Sequence, residues 1–458
     1  MTAQRKFVKD ILIFALSSFG SRAITILLLP LYSYSLQLEE YGELDVLLTL
    51  VMLFMPLLTF SMYESILKMC IEKRVSRKVV FSSSIFLLAI LTIIAFILVC
   101  FVNSVFFKYE RIFIFFGVIL SISIYEYFSK FSKGVGQQFV FAISNIIIAA
   151  VMLFLNILLV YYYEAGIDGV LYSHMISYLI GSVFIFFRLS MWRFISKRYT
   201  NVEVIKKMLT ISVPLIPNAA MWWMFNASDR SLVYHFSGAD QAGLYGVGNK
   251  LSVIIMIVNA VVFQAWQIAT LREKGKDTQN QFFTDVIRKY IYFIFFVSSF
   301  LISINQFLLE TILSEEFSNA WRVGNILILS TTFYSLASFL GVFYVVFEKT
   351  KRAFATSSFT AILNLILNLV LIPTYGIYGA AFATLASTVL IFIVRMLDTS
   401  NLASFKFSYT QIITLIVSIF LQLFFVYQGE YIFSYVITAI IFSGFLFDMR
   451  SFLLRQVR

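Results

Sequence analysis

The chain has 458 residues, of which 60% are hydrophobic and 13% are charged. Soluble domains average about 45 to 50% apolar and about 25% charged residues, so this composition excludes an ordinary soluble globular protein. Cys70 and Cys100 are the two cysteines, too few for a disulfide framework or a cysteine metal site. The net charge of +11 must first be tested against the distribution of Lys and Arg across a membrane.

Apolar runs long enough to cross a bilayer recur along the whole chain. A helix of roughly 20 apolar residues spans the ~30 Å hydrocarbon core. The first run is too long for the apolar part of a signal peptide and lacks a small-residue cleavage pattern, so we predict it as a span. The sequence predicts an all-α polytopic membrane protein with about fourteen transmembrane helices. These are 8–34, 44–67, 79–102, 111–130, 137–162, 167–189, 207–236, 243–270, 287–309, 323–347, 353–373, 377–397, 407–427 and 430–449.

Lysine and arginine are distributed unevenly over the predicted loops. With the N-terminus in the cytoplasm, 29 of the 35 Lys and Arg residues lie on that side, including Lys130, Arg395 and the C-terminal arginines. The opposite side holds only Lys108, Arg111 and Arg322, whereas most of its loops are acidic. The positive-inside rule therefore explains the net charge without a nucleic-acid partner and predicts that both termini are cytoplasmic.

Two motifs recur in the same order in the two halves of the chain. Glu40-Tyr41-Gly42 resembles Leu244-Tyr245-Gly246, and Gly166-Ile167-Asp168-Gly169 resembles Gly376-Ile377-Tyr378-Gly379. Parallel repeats of an even number of helices are one way to build a transporter, with the substrate between the repeats. We predict a six-helix lobe in 1–200, a second six-helix lobe in 201–400, and two additional transmembrane helices in 401–458.

Ionisable residues within the spans are candidates for function, because each costs about 2.5 to 3.5 kcal/mol or more at the centre of a bilayer. The basic ones suit a phosphate, for which a guanidinium is well shaped, although interhelical ion pairs are an alternative. Amides at the same depth suit sugar hydroxyls or helix packing. The candidate substrate-binding residues are Arg22, Asn226, Arg230, Lys250, Asn364 and Asn368.

A second group of residues is suited to coupling or gating. Asp229 either contacts substrate or forms a clamp with Lys250 or Arg230. Glu64 and Glu126 either bind a coupling cation or form ion pairs with Lys68 and Lys130 one turn further along the helix. His174 is either a proton carrier or a packing residue, and prolines in the seventh span favour a kink. The coupling and gating candidates are Glu64, Glu126, His174, Pro214, Pro217 and Asp229.

Three motifs resemble one family. Leu29-Pro30-Leu31-Tyr32, Pro214-Leu215-Ile216-Pro217-Asn218 and Tyr375-Gly376-Ile377-Tyr378-Gly379-Ala380-Ala381 are similar to motifs of the polysaccharide transport branch of the multidrug/oligosaccharidyl-lipid/polysaccharide (MOP) exporter superfamily. This branch includes Wzx-type O-antigen and capsule repeat-unit flippases.

The resemblance implies a MATE-like fold and alternating access between the lobes, in a bacterial inner membrane. Its implied substrate is an undecaprenyl diphosphate-linked oligosaccharide, carried to the outer leaflet, and polysaccharide polymerase machinery is an implied partner.

Two other functions compete with this interpretation. A MATE-like antiporter of drugs or organic cations would use acidic groups such as Asp229 and Glu64, but the basic set at membrane depth favours an anionic substrate. A membrane glycan polymerase or ligase would need a long external loop, whereas the predicted outer loops are short. The sequence has no nucleotide-binding motif, so we expect no enzyme and no cofactor, and coupling to a proton or sodium gradient.

Overall fold

The computed structural model describes residues 24, 27–72, 75–107 and 109–456. Every regular element in this part of the chain is helical. The chain forms two compact units, Met1–Trp223 and Met224–Arg458, and each is described separately below. The predicted lobe boundary at residue 200 remains a prediction.

Residues 27–35 of unit 1 are helical, and eight further α-helices follow them, the last of which continues into unit 2. Two of its segments are π-helical, Asn103–Phe107 and Ile157–Tyr162. The helices are α1 (Leu38–Thr59), α2 (Met62–Glu72), α3 (Arg77–Val102), α4 (Ile112–Gly134), α5 (Gln138–Asn156), α6 (Gly166–Arg188), α7 (Val202–Ser212) and α8 (Leu215–Asn226). Most of the predicted first span, 8–34, lies outside the described residues.

Unit 2 contains the remaining helices and one isolated turn, Glu315–Ser318. The helices are α9 (Ser228–Ser237), α10 (Ala239–Gly248), α11 (Ser252–Glu273), α12 (Gln279–Ile312), α13 (Ala320–Val346), α14 (Thr350–Ala403), α15 (Tyr409–Tyr427) and α16 (Tyr431–Gln456).

Three of the predicted spans are broken in the structure. The span predicted over 44–67 is the pair α1 and α2, which separate at Phe60 and Ser61, both with positive φ. The span predicted over 207–236 is α7, α8 and α9, and its first break comes at Pro214, which has no amide hydrogen to donate. The span predicted over 243–270 is α10 and α11. Hydropathy alone does not detect the break at residue 60, because apolar residues continue on both sides of it, whereas polar residues follow the break before α9.

Helix α14 is a hairpin of two antiparallel helices. Its 54 residues include Gly376, whose φ of 56° and ψ of −135° are not helical. In a straight helix, residues 364 and 384 would be about 30 Å apart, yet Asn364 donates a hydrogen bond of 3.3 Å to Thr384. A Cβ on Gly379 would lie 2.2 Å from the Leu371 carbonyl oxygen, so the reversal requires glycine there. The predicted spans 353–373 and 377–397 are therefore separate helices.

The repeated glycine motif has the same backbone role in both units. Gly166 has a φ of 53° and Gly376 a φ of 56°, both in the region that favours glycine. Three residues later, a Cβ on Gly169 would lie 3.3 Å from the Leu159 backbone, just as one on Gly379 would collide with Leu371. The sequence repeat thus corresponds to a repeated tight turn between two antiparallel helices.

The protein is a multi-pass membrane protein. Within the described residues, twelve helices are long and apolar enough to cross a membrane, with the α14 hairpin counted once. Helix α3 exposes a row of side chains that includes Ile93 (61%), Ile97 (62%) and Phe101 (63%). Such a continuous apolar surface is suited to hydrocarbon and not to water.

The last two helices are joined to α12 by a buried polar network. Gln422 of α15 is fully buried and accepts a 2.7 Å hydrogen bond from Ser299 of α12. Its amide nitrogen lies 2.8 Å from Ser303 Oγ and 3.1 Å from Thr438 Oγ1 of α16. Near one end of these helices, Arg288 forms a 2.6 Å ion pair with Asp448. Helices α15 and α16 are thus an integral part of unit 2.

Candidate transport site

Unit 2 contains a small cleft with a polar lining at membrane depth. The cleft has a volume of about 70 Å³ and is formed by the ends of α8 and α9 together with α10, α11, α13 and α14. Its lining residues are Phe225, Asn226, Asp229, Tyr245, Asn249, Met256, Leu327, Ser330, Thr331, Tyr334, Thr384 and Thr388. Since one water needs about 10 to 15 Å³ of such space, this volume suits an ion or a few waters and not a glycan.

Asp229 is the buried carboxylate of this cleft, with 7% of its surface exposed. Its Oδ2 accepts a 2.5 Å hydrogen bond from Tyr245 Oη, and its Oδ1 accepts one of 2.9 Å from the Arg230 amide. Arg230, the next residue, and Lys250, which follows α10, are both half-buried, and both have interaction partners. The break between α8 and α9 at Ala227 places Asp229 in the first turn of α9, where the positive end of the helix dipole favours a carboxylate.

Asn364 and Asn368 form a continuation of this network inside the α14 hairpin. Asn368 donates a 3.1 Å hydrogen bond to Asn364 Oδ1, and Asn364 donates to Thr384. Thr384 lines the cleft and also lies within hydrogen-bonding reach of Tyr245. Asn368 is fully buried, and its Oδ1 accepts no hydrogen bond from the described residues. Asn226, Asp229, Asn364 and Asn368 are therefore parts of one polar region.

Glu64 and Glu126 belong to a separate ionic cluster in unit 1. Lys130 of α4 donates a 2.6 Å hydrogen bond to Glu64 of α2, so the pair joins two helices. The pairing expected between Glu64 and Lys68 is wrong, because Lys68 lies 4.0 Å from Glu72 instead. The pairing expected between Glu126 and Lys130 is also absent from the ion pairs of the described residues. Helical spacing predicted that each carboxylate would pair with a lysine of its own helix. The packing of α2 on α4 instead brings Lys130 close to Glu64.

The remaining candidates have local roles or lie outside the described residues. His174 Nδ1 lies 3.0 Å from the Val170 carbonyl oxygen of its own helix. Pro214 and Pro217 are exposed and lie at the break before α8 and in its first turn. Arg22 lies outside the described residues, so its proposed cavity role stays a prediction.

Arg395 is a buried residue that the charge pattern assigns to the cytoplasmic side, near the end of the predicted span 377–397. It has 8% of its surface exposed and donates hydrogen bonds of 2.9 Å to the Ala337 carbonyl and 2.8 Å to Ser357 Oγ. A Cβ on Gly341 would lie 2.8 Å from Arg395 Nη1, so this glycine makes room for the guanidinium. The apolar run on both sides of Arg395 was the signal that indicated its burial.

A second ionic cluster joins three helices at the end of unit 1 that the charge pattern assigns to the outside. Arg111 lies 2.8 Å from Asp168 and 3.4 Å from Glu43. Tyr109 also donates a hydrogen bond to Glu43. Burial raises the pKa of the Tyr109 hydroxyl, and the hydrogen bond to Glu43 raises it further. Arg111, one of the few cations on this side, is therefore neutralised within the protein.

Residues 7–267, more than half of the chain, match the sequence model of a family described as polysaccharide biosynthesis protein. The chain belongs to this family. The matched region contains the described residues of unit 1 and, in unit 2, the Asp229–Tyr245 pair.

Two curated proteins are similar to parts of this chain. The chain is 26% identical over 247 residues to an uncharacterized membrane protein of Methanocaldococcus jannaschii, covering 50% of this chain and 57% of the relative. It is 23% identical over 214 residues to the capsular polysaccharide biosynthesis protein CapF of Staphylococcus aureus, covering 44% and 54%. The matches thus span little more than half the length of these relatives.

Solved structures define the fold of this family member. The lipid II flippase MurJ, in an inward closed conformation, matches with a TM-score of 0.72 at 15% identity, over 98% of this chain and all of MurJ. An inward-facing multidrug resistance MATE family transporter of the MOP superfamily matches with a TM-score of 0.67 at 12% identity, over 83% and 95%. The chain has the MATE and MurJ fold, and the resemblance drawn from its motifs is confirmed.

Proposed function

We propose that this protein is a flippase that carries an undecaprenyl diphosphate-linked oligosaccharide repeat unit from the cytoplasmic to the outer leaflet of the bacterial inner membrane. Membership of the polysaccharide biosynthesis family, on a fold shared with a lipid II flippase, is the observation that carries this proposal. Both termini would be cytoplasmic, following the charge asymmetry. The glycan would be that of an O-antigen, a capsule or a related surface polysaccharide.

The basic residues at membrane depth would bind the charged part of the substrate. Arg22, Arg230 and Lys250 match a diphosphate in charge, and arginine also matches phosphate in hydrogen-bond geometry. The polyprenyl chain would stay in the lipid, so the protein must solvate only the diphosphate and sugars. Alternating access would then move this polar part across the membrane without enzymatic chemistry.

We assign a coupling role to the small cleft of unit 2. Its volume of about 70 Å³ is too small for a sugar chain, but it contains a carboxylate, hydroxyls and adjoining amides. Oxygen ligands of these kinds suit hard cations such as sodium. Asp229, Thr384 and Asn364 would supply the oxygens, and a proton on Asp229 would be the alternative coupling ion. Binding there would alter the packing of α9 against α10 and α14.

A MATE-like antiporter of organic cations is the second candidate function. It is favoured by the structural match to a multidrug resistance transporter and by the buried carboxylate of Asp229. The small size of the cleft and the basic residues in the same unit argue against a bulky cation. Under this alternative, deletion of the gene would raise drug sensitivity and leave the surface glycan intact.

Complementation of a deletion strain tests the flippase proposal. Arg22→Ala is expected to abolish surface glycan while the protein remains in the membrane, and lipid-linked repeat units should accumulate in the cytoplasmic leaflet. Arg22→Lys should restore part of the activity because it keeps the charge. Lys206→Ala, at an exposed position of α7, is the matched control and should behave as the wild type. Normal glycan display without any copy of the gene would exclude the flippase function.

Ion binding to the purified protein tests the coupling role separately. Calorimetric titration with sodium should show binding to the wild type that Asp229→Asn weakens by at least about tenfold, because a neutral amide replaces the carboxylate. Asp240→Asn, at an exposed position, is the matched control. Proton release in place of sodium binding would identify the proton as the coupling ion. Unchanged binding of both ions in Asp229→Asn would exclude the cleft as the coupling site.

A further inference from the structure

A second cavity of unit 2 is an apolar groove of about 260 Å³, formed by α13, the second half of α14, and α15. Its floor consists of buried aliphatic side chains, including Ile326 (7% exposed), Leu329 (1%) and Leu423 (8%). Its walls are aromatic and half exposed, including Phe382 (50%) and Phe420 (53%). A channel with a packed floor and open aromatic walls is shaped to receive a flexible apolar chain.

The spacing of the lining residues gives the groove its direction. Tyr378, Phe382 and Leu385 follow one another at intervals of four and three residues, which places them on one face of the helix. Seven residues at 1.5 Å each make a groove about 10 Å long that runs along the helices. Since these helices cross the membrane, the groove runs parallel to lipid chains.

A cation lies directly beyond one end of this groove. Arg322 precedes Ile326 by four residues and Leu329 by seven, so it shares the face of α13 that forms the floor. Tyr427, at the same end, donates a 2.5 Å hydrogen bond to the Arg322 carbonyl oxygen. The Arg322 guanidinium lies 5.5 Å from the centre of the Trp321 ring.

Arg322 is an exception to the distribution of charge, and no carboxylate of the described residues pairs with it. The charge pattern assigns it to the outer side, where cations are few. Arg111 on that side has two carboxylate neighbours, but none of the ion pairs of the described residues includes Arg322. Its exposed guanidinium therefore remains available to an anion at the level of the lipid head groups.

We propose that this groove binds one anionic phospholipid of the outer leaflet, with an acyl chain between α13, α14 and α15 and the phosphate on Arg322. Within a bilayer, an apolar groove by itself gives little selectivity, because lipid tails are as apolar as the groove. Selectivity must come from the head group, where an exposed guanidinium can form a charge-assisted pair with phosphate. Tyr378 and Tyr427 at the same end are typical of the membrane interface. This site lies outside the proposed coupling cleft.

Native mass spectrometry of the purified protein, titrated with defined lipids, tests the proposal. The wild type is expected to bind one phosphatidylglycerol in preference to phosphatidylcholine. Arg322→Gln should weaken phosphatidylglycerol binding by about tenfold, equivalent to about 1.4 kcal/mol, and Arg322→Lys should restore most of it. Lys351→Gln, at an exposed cation of the other end of unit 2, is the matched control and should bind as the wild type.

Leu385→Trp fills the groove and leaves Arg322 in place. It should displace the lipid, while circular dichroism and the thermal midpoint report whether the protein remains folded. Equal binding of phosphatidylglycerol and phosphatidylcholine, or unchanged binding by Arg322→Gln, would overturn the proposal. Tighter binding of undecaprenyl phosphate than of phosphatidylglycerol would assign the groove to the carrier lipid and overturn the assignment to phospholipid.

Discussion

Tyr245 donates its hydroxyl to the buried carboxylate of Asp229 at 2.5 Å and so joins α10 to α9. The sequence alone marks both residues, Asp229 as a candidate for coupling and Tyr245 within the repeated motif Leu244-Tyr245-Gly246. The hydrogen bond connects the two residues, and Thr384 links them to the amides of the α14 hairpin. This network joins α9, α10 and α14 of unit 2.

Tyr245→Phe should destabilise the protein and impair coupling. Removal of one partner of a buried hydrogen bond to a charged group costs about 1 to 3 kcal/mol. The thermal midpoint of the purified protein in detergent should fall by several degrees, and sodium or proton binding should change with it. Tyr435→Phe, at a residue with 50% exposure, is the control that should keep both properties. An unchanged midpoint and unchanged ion binding would contradict this role of Tyr245.

Gly341→Ala should destabilise unit 2 through Arg395. The new methyl group would lie 2.8 Å from Arg395 Nη1, which also donates to the Ala337 carbonyl, so the guanidinium must give up its position. Arg395→Leu removes both the clash and the buried charge. The double variant Gly341→Ala, Arg395→Leu should therefore be more stable than Gly341→Ala alone. Arg352→Ala breaks a more exposed ion pair with Asp398 and should cost at most about 1 kcal/mol. Thermal melting in detergent distinguishes these outcomes.

Gln422→Leu should loosen the last two helices from α12. The side chain keeps a similar size, but Ser299, Ser303 and Thr438 lose their common partner inside the unit. These hydroxyls keep hydrogen bonds to one another, such as the 2.8 Å contact between Ser299 and Thr438, so the cost is that of the bonds lost to Gln422, about 0.5 to 1.5 kcal/mol each in proteins and somewhat less within membranes. Limited proteolysis should cleave the connection before α15 faster than in the wild type. Gln428→Leu, in the exposed turn after α15, should leave the cleavage rate unchanged.

Tyr109→Phe should make the stability less sensitive to alkaline pH. The pKa of Tyr109 is raised in the folded protein, so its contribution to stability is complete below the ordinary tyrosine pKa of about 10 and declines as the pH rises above it. The phenylalanine variant lacks this decline, so its thermal midpoint should fall less than that of the wild type above about pH 10. If the thermal midpoints of the two proteins fell equally with rising pH, the raised pKa of Tyr109 would be contradicted. Tyr161→Phe, at an exposed residue, provides the control.

Hydropathy and glycine motifs predicted the spans and the turns because each reflects a requirement of a short segment of the chain. A run of apolar residues must span hydrocarbon whatever its neighbours are, and the candidate spans of the structure agree with nearly all of the predicted ones within the described residues. Gly166 and Gly376 need positive φ for their turns, so the repeat was visible in the chain. The break at residue 60 was less visible, since apolar residues continue on both sides of it, whereas the break at residue 227 is followed directly by polar residues.

The sequence by itself thus determined the fold class, most of the spans, the repeat and the family. Only the tertiary structure decided which polar groups meet. Glu64 pairs with Lys130 across 66 residues and not with the lysine one turn away, and Arg395 lies among the carbonyl and hydroxyl oxygens of neighbouring helices. The physical reason is that a pairing between helices depends on their relative rotation and depth. Those quantities arise from packing over the whole unit, and no single segment of the chain encodes them.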